Sequence, residues 1–168
     1  ADLKILDIGT GSGAIAISLA REFENADILA IDISEDAIKV ADKNITDKKL
    51  HNRIKLKKTT INDINENFDL IVSNPPYLTK KELQNISQEI RNFEPSLSLY
   101  GGEDGLNFYR EFAKKIPQIM NSNAYFITEI GAQQYLDCRE IFSLSSLKFV
   151  KKTQDLQKKD RIMVFSKL

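Results

Sequence analysis

The run Asp7-Ile8-Gly9-Thr10-Gly11-Ser12-Gly13-Ala14 places three glycines in alternation near the beginning of the chain. An apolar strand pattern from Lys4 to Ile8 precedes the run, and an apolar stretch with small residues follows it from Ala14 to Leu19. Glycine lets the backbone turn sharply and approach a ligand where any Cβ would collide. The pattern therefore predicts a strand, a tight loop that binds a cofactor through Asp7 and Gly9 to Gly13, and a buried helix.

The carboxylate of Asp32 follows this loop at a sequence distance typical of folds that bind nucleosides. Asp32 stands 19 positions after Gly13 (32 − 13), at the end of a second strand pattern from Asp27 to Asp32. A carboxylate at the tip of this strand can accept hydrogen bonds from both hydroxyls of a ribose. The pair predicts a nucleoside-containing cofactor, although the glycines alone also fit the dinucleotide fingerprint of nicotinamide enzymes.

The rest of the chain alternates between strand and helix patterns. Strands are predicted at Arg53 to Lys57, Phe68 to Ser73, Tyr125 to Ile130, Leu147 to Lys151 and Ile162 to Phe165. Helices are predicted after Ser34 as N-cap and at Lys80 to Arg91, Leu106 to Met120 and Gln133 to Phe142, with an irregular loop from Phe93 to Gly105. This alternation predicts one α/β domain over residues 1–168, with a doubly wound, mostly parallel seven-stranded sheet and an antiparallel final strand.

The segment Asn74-Pro75-Pro76-Tyr77 follows the fourth predicted strand. Two successive prolines have a fixed φ and no N–H, so the segment is a stiff loop whose carbonyls can face a ligand. Asn74 adds a side-chain oxygen and Tyr77 a flat aromatic wall, a set that suits a planar NH2 group on an sp² carbon. Because ligands of doubly wound sheets bind where the strand order reverses, we expect Gly9 to Gly13, Asp32 and Asn74 to border one crevice.

Composition narrows the classes of partner. The 24 basic residues equal the 24 acidic residues, so no overall charge attracts a polyanion, and nucleic acid is not expected as substrate. The single cysteine, Cys138, excludes an internal disulfide, and we expect no metal site. No stretch approaches the ~20 apolar residues of a membrane span, and the N-terminus lacks a signal-peptide pattern. We expect a cytoplasmic monomer that is a piece of a longer polypeptide.

The motifs at residues 7–13, at Asp32 and at Ser73 to Tyr77, in this order, resemble class I methyltransferases that modify exocyclic or amide nitrogens. A narrower similarity is to the peptide chain release factor glutamine N5-methyltransferases of the HemK/PrmC type, and it spans essentially the whole chain. It includes Phe93-Glu94-Pro95, Leu99 to Leu106, Glu129-Ile130-Gly131, Asp155-Leu156 and Asp160-Arg161.

The resemblance implies a Rossmann-like fold with S-adenosylmethionine bound by Asp7, Gly9 to Gly13 and Asp32. It also implies that Asn74 to Tyr77 hold the glutamine of a release factor's Gly-Gly-Gln motif, with Asn74 bordering the cofactor as well. Such enzymes usually place an acid near the adenine after the third strand, where this chain has Thr59-Thr60-Ile61; we assign Thr60 to the cofactor site. The small helical N-terminal domain of the family has no counterpart in this chain.

Several alternatives remain open at this point. An exocyclic amine of a nucleic acid, adenine N6 or guanine N2, presents the same planar NH2, and so does a glutamine of a ribosomal protein. A nicotinamide oxidoreductase and a non-catalytic cofactor-binding module are the alternatives from other classes. Asp104 is expected either to cap the helix after Gly105 or to shape the substrate pocket, and Glu129 is interpreted as a strand-end residue.

Overall fold

The computed structural model describes residues 3–85 and 99–167. The predicted helix Lys80 to Arg91 and the predicted irregular loop Phe93 to Gly105 therefore lie partly outside the described residues. The Phe93-Glu94-Pro95 motif lies entirely outside the described residues.

Within the described ranges, seven strands form a single sheet in the order β3-β2-β1-β4-β5-β7-β6. They are β1 (Lys4–Ile8), β2 (Asp27–Asp32), β3 (Ile54–Lys58), β4 (Phe68–Ser73), β5 (Met120–Glu129), β6 (Leu147–Gln154) and β7 (Asp160–Lys167). The first five pair in parallel, and β7 runs antiparallel to both of its neighbours. The predicted fold class is confirmed.

Helices connect the parallel strands. They are α1 (Ala14–Glu22), α2 (Glu35–Asp47), α3 (Lys80–Gln84), α4 (Asn107–Lys115) and α5 (Tyr135–Ser143). The Ser34 side chain accepts a hydrogen bond from the Ala37 N–H at 3.2 Å, so the predicted N-cap of α2 is confirmed. The ends of β3, β6, β7 and α5 differ from the predictions by a few residues.

The predicted helix Leu106 to Met120 is wrong at its second half. α4 ends at Lys115, a 3-10 turn occupies Ile116–Gln118, and Met120 already belongs to β5, opposite Phe68 of β4. Pro117 lacks the N–H that a continuing α-helix needs, which explains the early end. The strand therefore begins five residues before the predicted Tyr125.

Each face of the sheet carries a core. Adjacent side chains of β1 point to opposite faces, and Ile5 packs with α1 and α2 while Leu6 packs with α4 and α5. The α4/α5 side is rich in aromatic rings, and Phe126 lies with its ring centroid 5.8 Å from that of Phe112. These two layers hold the carboxyl ends of β1, β2 and β4 at one edge of the sheet.

The α1/α2 face is covered unevenly. Beyond β1, the strands β4 to β7 present an apolar groove lined by Leu70, Tyr125, Ile127, Val150 and Val164, with Leu3 and Phe23 at its rim. Tyr125 is 48% exposed and Val150 is 46% exposed. Parallel strands such as β4 and β5 are usually buried on both faces, so this half of the sheet is unusually open with respect to residues 3–85 and 99–167.

Candidate cofactor and substrate site

The glycine loop connects β1 to α1 and rests on the end of β2. Gly9, Gly11 and Gly13 all have positive φ (69°, 55° and 80°), a conformation that favours glycine. The N–H groups of Gly9 and Thr10 both donate to the carbonyl of Ile31, at 2.9 and 3.0 Å. These bonds fix the loop at the carboxyl edge of the sheet.

The glycines of this loop have different surroundings. A Cβ at Gly9 would have no atom within 4 Å, whereas a Cβ at Gly13 would lie 3.3 Å from the Cβ of Ala41. Gly13 therefore allows α1 and α2 to pack closely, and Gly9 borders open space that a ligand can fill. Ser12 is exposed, and its carbonyl accepts a hydrogen bond from Asn44 at 2.8 Å.

Asp32 lies at the end of β2 and is half-buried. One carboxylate oxygen accepts the Gly11 N–H and the other accepts the Ser34 N–H, both at 2.9 Å. An ionised carboxylate has about four lone-pair sites, so acceptor capacity remains for the hydroxyls of a ribose. The position fits the predicted nucleoside contact.

Asp7 lies beneath the loop and has no exposed surface. Its Oδ2 accepts hydrogen bonds from the Thr10 hydroxyl at 2.7 Å and from the Ala16 N–H at 3.2 Å, and Thr10 is itself buried. Among the described residues, no group bonds to the buried Oδ1. Burial raises the pKa of Asp7 to about 6, against the lowering effect of the two hydrogen bonds. Asp7 and Thr10 thus support the loop from within.

An acidic residue that the sequence analysis did not assign to the site, Asp63, lies in the turn after β3. The Asp63 carboxylate accepts hydrogen bonds from the hydroxyls of Thr60 and Thr59, at 2.7 and 3.1 Å. These bonds, with that of Thr60 the largest cause, hold the pKa of Asp63 below its ordinary value. Thr60 is therefore engaged in the turn Ile61–Asp63, and Asp63 places a carboxylate in the region where Thr59-Thr60-Ile61 alone indicated none.

Asn74 leaves β4 beside the glycine loop. Ser73 pairs with Ile8, and its hydroxyl donates to the Ile8 carbonyl at 2.9 Å, so Asn74 and Gly9 leave adjacent parallel strands at the same level. Asn74 is exposed, and Pro75 is buried. The strand order reverses between β1 and β4, which is where doubly wound sheets bind their ligands. The structure thus brings the glycine loop, Asp32 and Asn74 to one edge.

Tyr77 closes this loop against β5. Its hydroxyl donates to a carboxylate oxygen of Glu129 at 3.4 Å, and its carbonyl accepts a hydrogen bond from Gln134 at 3.0 Å. Sequence analysis missed Gln134 because it sits 57 positions from Tyr77 and in no recognised motif.

Asp104 lies in the turn that precedes α4. Its carboxylate accepts the Leu106 N–H at 3.1 Å and forms an ion pair with Arg110. The bond to Leu106 lies in the turn before α4, and the N-cap of this helix, Leu106, has no side-chain cap, so both interpretations of Asp104 stay predictions. The ion pair also holds the pKa of Asp104 below its ordinary value.

Fold and loop geometry together define a doubly wound α/β domain of the kind that binds nucleoside cofactors. Comparison with known families narrows this class. The chain belongs to the methyltransferase domain family, whose model matches residues 1–157. Family membership supports S-adenosylmethionine as the cofactor over the nicotinamide cofactor that the glycine pattern alone left open.

Individual relatives agree with this assignment. A release factor glutamine methyltransferase of Fusobacterium nucleatum is 36% identical over 98% of this chain, and a bifunctional methyltransferase of Rickettsia typhi is 40% identical over 97%. The chain spans 47% and 32% of these two proteins. The crystal structure of a methyltransferase from Pyrococcus furiosus matches with a TM-score of 0.73 at 19% identity, over 99% of this chain and 76% of that one, which shows the fold.

Two further observations concern residues 3–85 and 99–167. No helix there combines the length and the apolar character needed to cross a membrane. No three His, Cys, Asp or Glu side chains there converge as a metal-binding group.

Proposed function

We propose that this domain transfers the methyl group of S-adenosylmethionine to the side-chain amide nitrogen, N5, of the glutamine in a release factor's Gly-Gly-Gln motif. The observation that carries the proposal is the loop Asn74 to Tyr77, which leaves β4 next to the glycine loop at the edge where the strand order reverses. The release factor glutamine methyltransferase of Fusobacterium nucleatum supports the choice of substrate. A release factor substrate places the reaction in the cytoplasm.

The amide nitrogen of glutamine is a poor nucleophile because its lone pair is delocalised into the carbonyl. The rotation barrier of ~18–20 kcal/mol about an amide bond gives the scale of this resonance. Acceptors that hold both N–H bonds fix the nitrogen in line with the methyl group and favour the positive charge that develops on it. Positioning supplies up to ~7–11 kcal/mol, and one preorganised polar contact ~3–4 kcal/mol.

The loop after β4 provides acceptors of this kind. The Tyr77 carbonyl is engaged by Gln134, which leaves the Asn74 side-chain oxygen and the carbonyls of Asn74 and Pro75 for the substrate. Neither Pro75 nor Pro76 carries an N–H, so these two residues offer the substrate no competing donor. The Tyr77 ring provides an apolar wall for the flat amide.

The opposite side of the site suits the methyl donor. S-adenosylmethionine supplies an electrophilic methyl group bound to a positively charged sulfur. Gly9 and Gly11 leave open space for the close approach of a ligand, and Asp32 retains lone pairs for the ribose hydroxyls. Asp63, at the end of β3, would accept a hydrogen bond from an exocyclic amine of the base.

The test is methyl transfer by the full-length protein to three substrate pools. Labelled S-adenosylmethionine is incubated with purified release factor, with ribosomal proteins or with total nucleic acid. We expect label on the release factor and N5-methylglutamine in the peptide that contains Gly-Gly-Gln. Replacing that glutamine by glutamate should abolish labelling, whereas label only in nucleic acid or ribosomal protein would refute the proposal.

A further inference from the structure

We propose that Gln134 is a positioning residue for the substrate loop, the segment Asn74 to Tyr77. Its side-chain amide ties this loop to the glycine-rich segment before α4 and to Gly131 after β5. The inference rests on the proposed function and deepens it, because it identifies what holds the acceptors for the glutamine in place.

Gln134 bonds to three separate segments through one side chain. Its Nε2 donates to the carbonyl of Tyr77 at 3.0 Å and to the carbonyl of Gly105 at 3.2 Å. Its Oε1 accepts the N–H of Gly131 at 3.0 Å. A neutral amide is the only common side-chain group that combines two donors with an acceptor in this way, and its half-buried position protects the bonds from water.

Glycines let these segments come close enough for one side chain to join them. A Cβ at Gly105, whose φ is +74°, would lie 2.4 Å from the Tyr77 carbonyl oxygen. A Cβ at Gly101 would lie 2.7 Å from the Pro76 carbonyl oxygen, and one at Gly131 would lie 2.7 Å from Oε1 of Gln134. The Pro76 and Tyr77 carbonyls of the substrate loop are therefore closely packed against neighbouring glycines.

The substrate loop has few donors with which to anchor itself. Pro75 and Pro76 have no N–H, so hydrogen bonds that restrain this part of the backbone must go to its carbonyls. Directly after the loop, the Leu78 N–H bonds to the Leu99 carbonyl at 2.9 Å. Gln134 restrains the Tyr77 carbonyl, immediately before that contact and three residues after Asn74.

Loss of this restraint would act on the rate of transfer. A displacement of about 1 Å at a reacting group can lower a rate on the order of 10²-fold. Apart from Asn74, the proposed cofactor contacts lie at or after the ends of β1, β2 and β3, to which Gln134 makes no hydrogen bond within the described residues, so they should not change. Within the described part of the chain, the side-chain hydrogen bonds of Gln134 go to Tyr77, Gly105 and Gly131 and not to Asn74 or Pro75, which distinguishes a positioning role from a catalytic one.

Two variants and one control test the proposal in the full-length protein. Gln134→Glu keeps the shape but turns an acceptor towards two carbonyl oxygens, and Gln134→Met keeps the length without any donor. Gln133→Glu is the matched control, since Gln133 is exposed and the charge change is identical. We expect kcat to fall on the order of 10- to 100-fold in both Gln134 variants. KM for S-adenosylmethionine should stay within about twofold of wild type in all three, the range that unchanged cofactor contacts predict.

Hydrogen exchange measured by mass spectrometry provides a readout that does not depend on activity. Amides in a peptide covering Tyr77 to Gln84 should exchange faster in both Gln134 variants than in wild type and Gln133→Glu, while β1 and β2 stay protected. Unchanged exchange in this peptide, or an equal rise in β1 and β2, would overturn the positioning role. If wild type modifies no release factor, the proposed function fails, yet the exchange result still decides whether Gln134 holds the loop.

Discussion

The Asp32 carboxylate accepts the Gly11 N–H at 2.9 Å, which joins the end of β2 to the loop that follows β1. Its second oxygen accepts the Ser34 N–H at the same distance, immediately before α2. One side chain therefore sets the shape of the glycine loop and the beginning of a helix, and it presents its remaining lone pairs to the crevice. Removing it should affect cofactor binding first.

We predict that Asp32→Ala weakens S-adenosylmethionine binding by roughly 1.5–3 kcal/mol, the value of hydrogen bonds to a charged group. Isothermal titration calorimetry measures this change. Asp36→Ala is the matched control, because Asp36 is a highly exposed carboxylate in the first turn of α2. Normal affinity in Asp32→Ala would overturn the assignment of Asp32 to the ribose.

Asn74→Ala should lower turnover on the order of 10²-fold or more, because the lost acceptor acts on the nucleophile. Cofactor affinity should change little. Single-turnover kinetics with release factor separate the two effects, and Asn52→Ala, in an exposed turn, serves as the control. Unchanged turnover in Asn74→Ala would remove Asn74 from the mechanism.

Gly9→Ala should distinguish an effect on ligand binding from an effect on folding. The new Cβ would meet no protein atom within 4 Å, so the effect on the free energy of unfolding is limited to the strain of a positive φ, about 1–2 kcal/mol. The same Cβ would stand in the space assigned to the cofactor, and we expect affinity to fall at least tenfold, about 1.4 kcal/mol. Full affinity in a folded variant would show that the cofactor does not approach Gly9.

Asp7→Asn should change the pH dependence of stability. Burial raises the pKa of Asp7 from 3.8 to about 6, so between these pH values the folded protein binds more protons than the unfolded chain. The contribution of Asp7 to stability therefore decreases as pH rises through this window, by up to about 3 kcal/mol, and is constant above it. Urea unfolding at several pH values should show the stability of Asp7→Asn, relative to wild type, rising from pH 4 to pH 6. A difference independent of pH would contradict the raised pKa.

Much of the fold could be predicted because its signals are local. β1, β2 and β4 are continuous apolar runs that end in glycine or polar residues, and their predicted bounds match the structure. The beginning of β5 could not be predicted in this way, because Asn121 and its polar neighbours lack strand character. The Asn121 side chain instead bonds to Asp69 across the sheet at 2.8 Å, a contact 52 positions apart.

The residues of the candidate site likewise differ in whether a local sequence pattern indicates them. The glycine loop, Asp32 and Asn74 each follow a strand pattern, so their meeting at one edge follows from the order of parallel strands. Gln134 acts through a tertiary contact that no local pattern encodes, whereas Asp63 bonds to Thr60 three residues earlier in a capping box, a local pattern that sequence analysis could have used. The ligand contacts assigned to Asp7, Gly9 to Gly13, Asp32, Thr60 and Asn74 to Tyr77 all stay predictions.

The apolar groove has a consequence for how this domain behaves in concentrated solution. We predict that two copies associate weakly through this groove at the protein concentrations of calorimetry, because exposed apolar surface favours association. Light scattering should then increase with concentration, and Tyr125→Lys combined with Val150→Lys should suppress the increase, since both side chains are close to half exposed. Assays of methyl transfer should therefore use dilute protein, at which this association does not lower the measured activity.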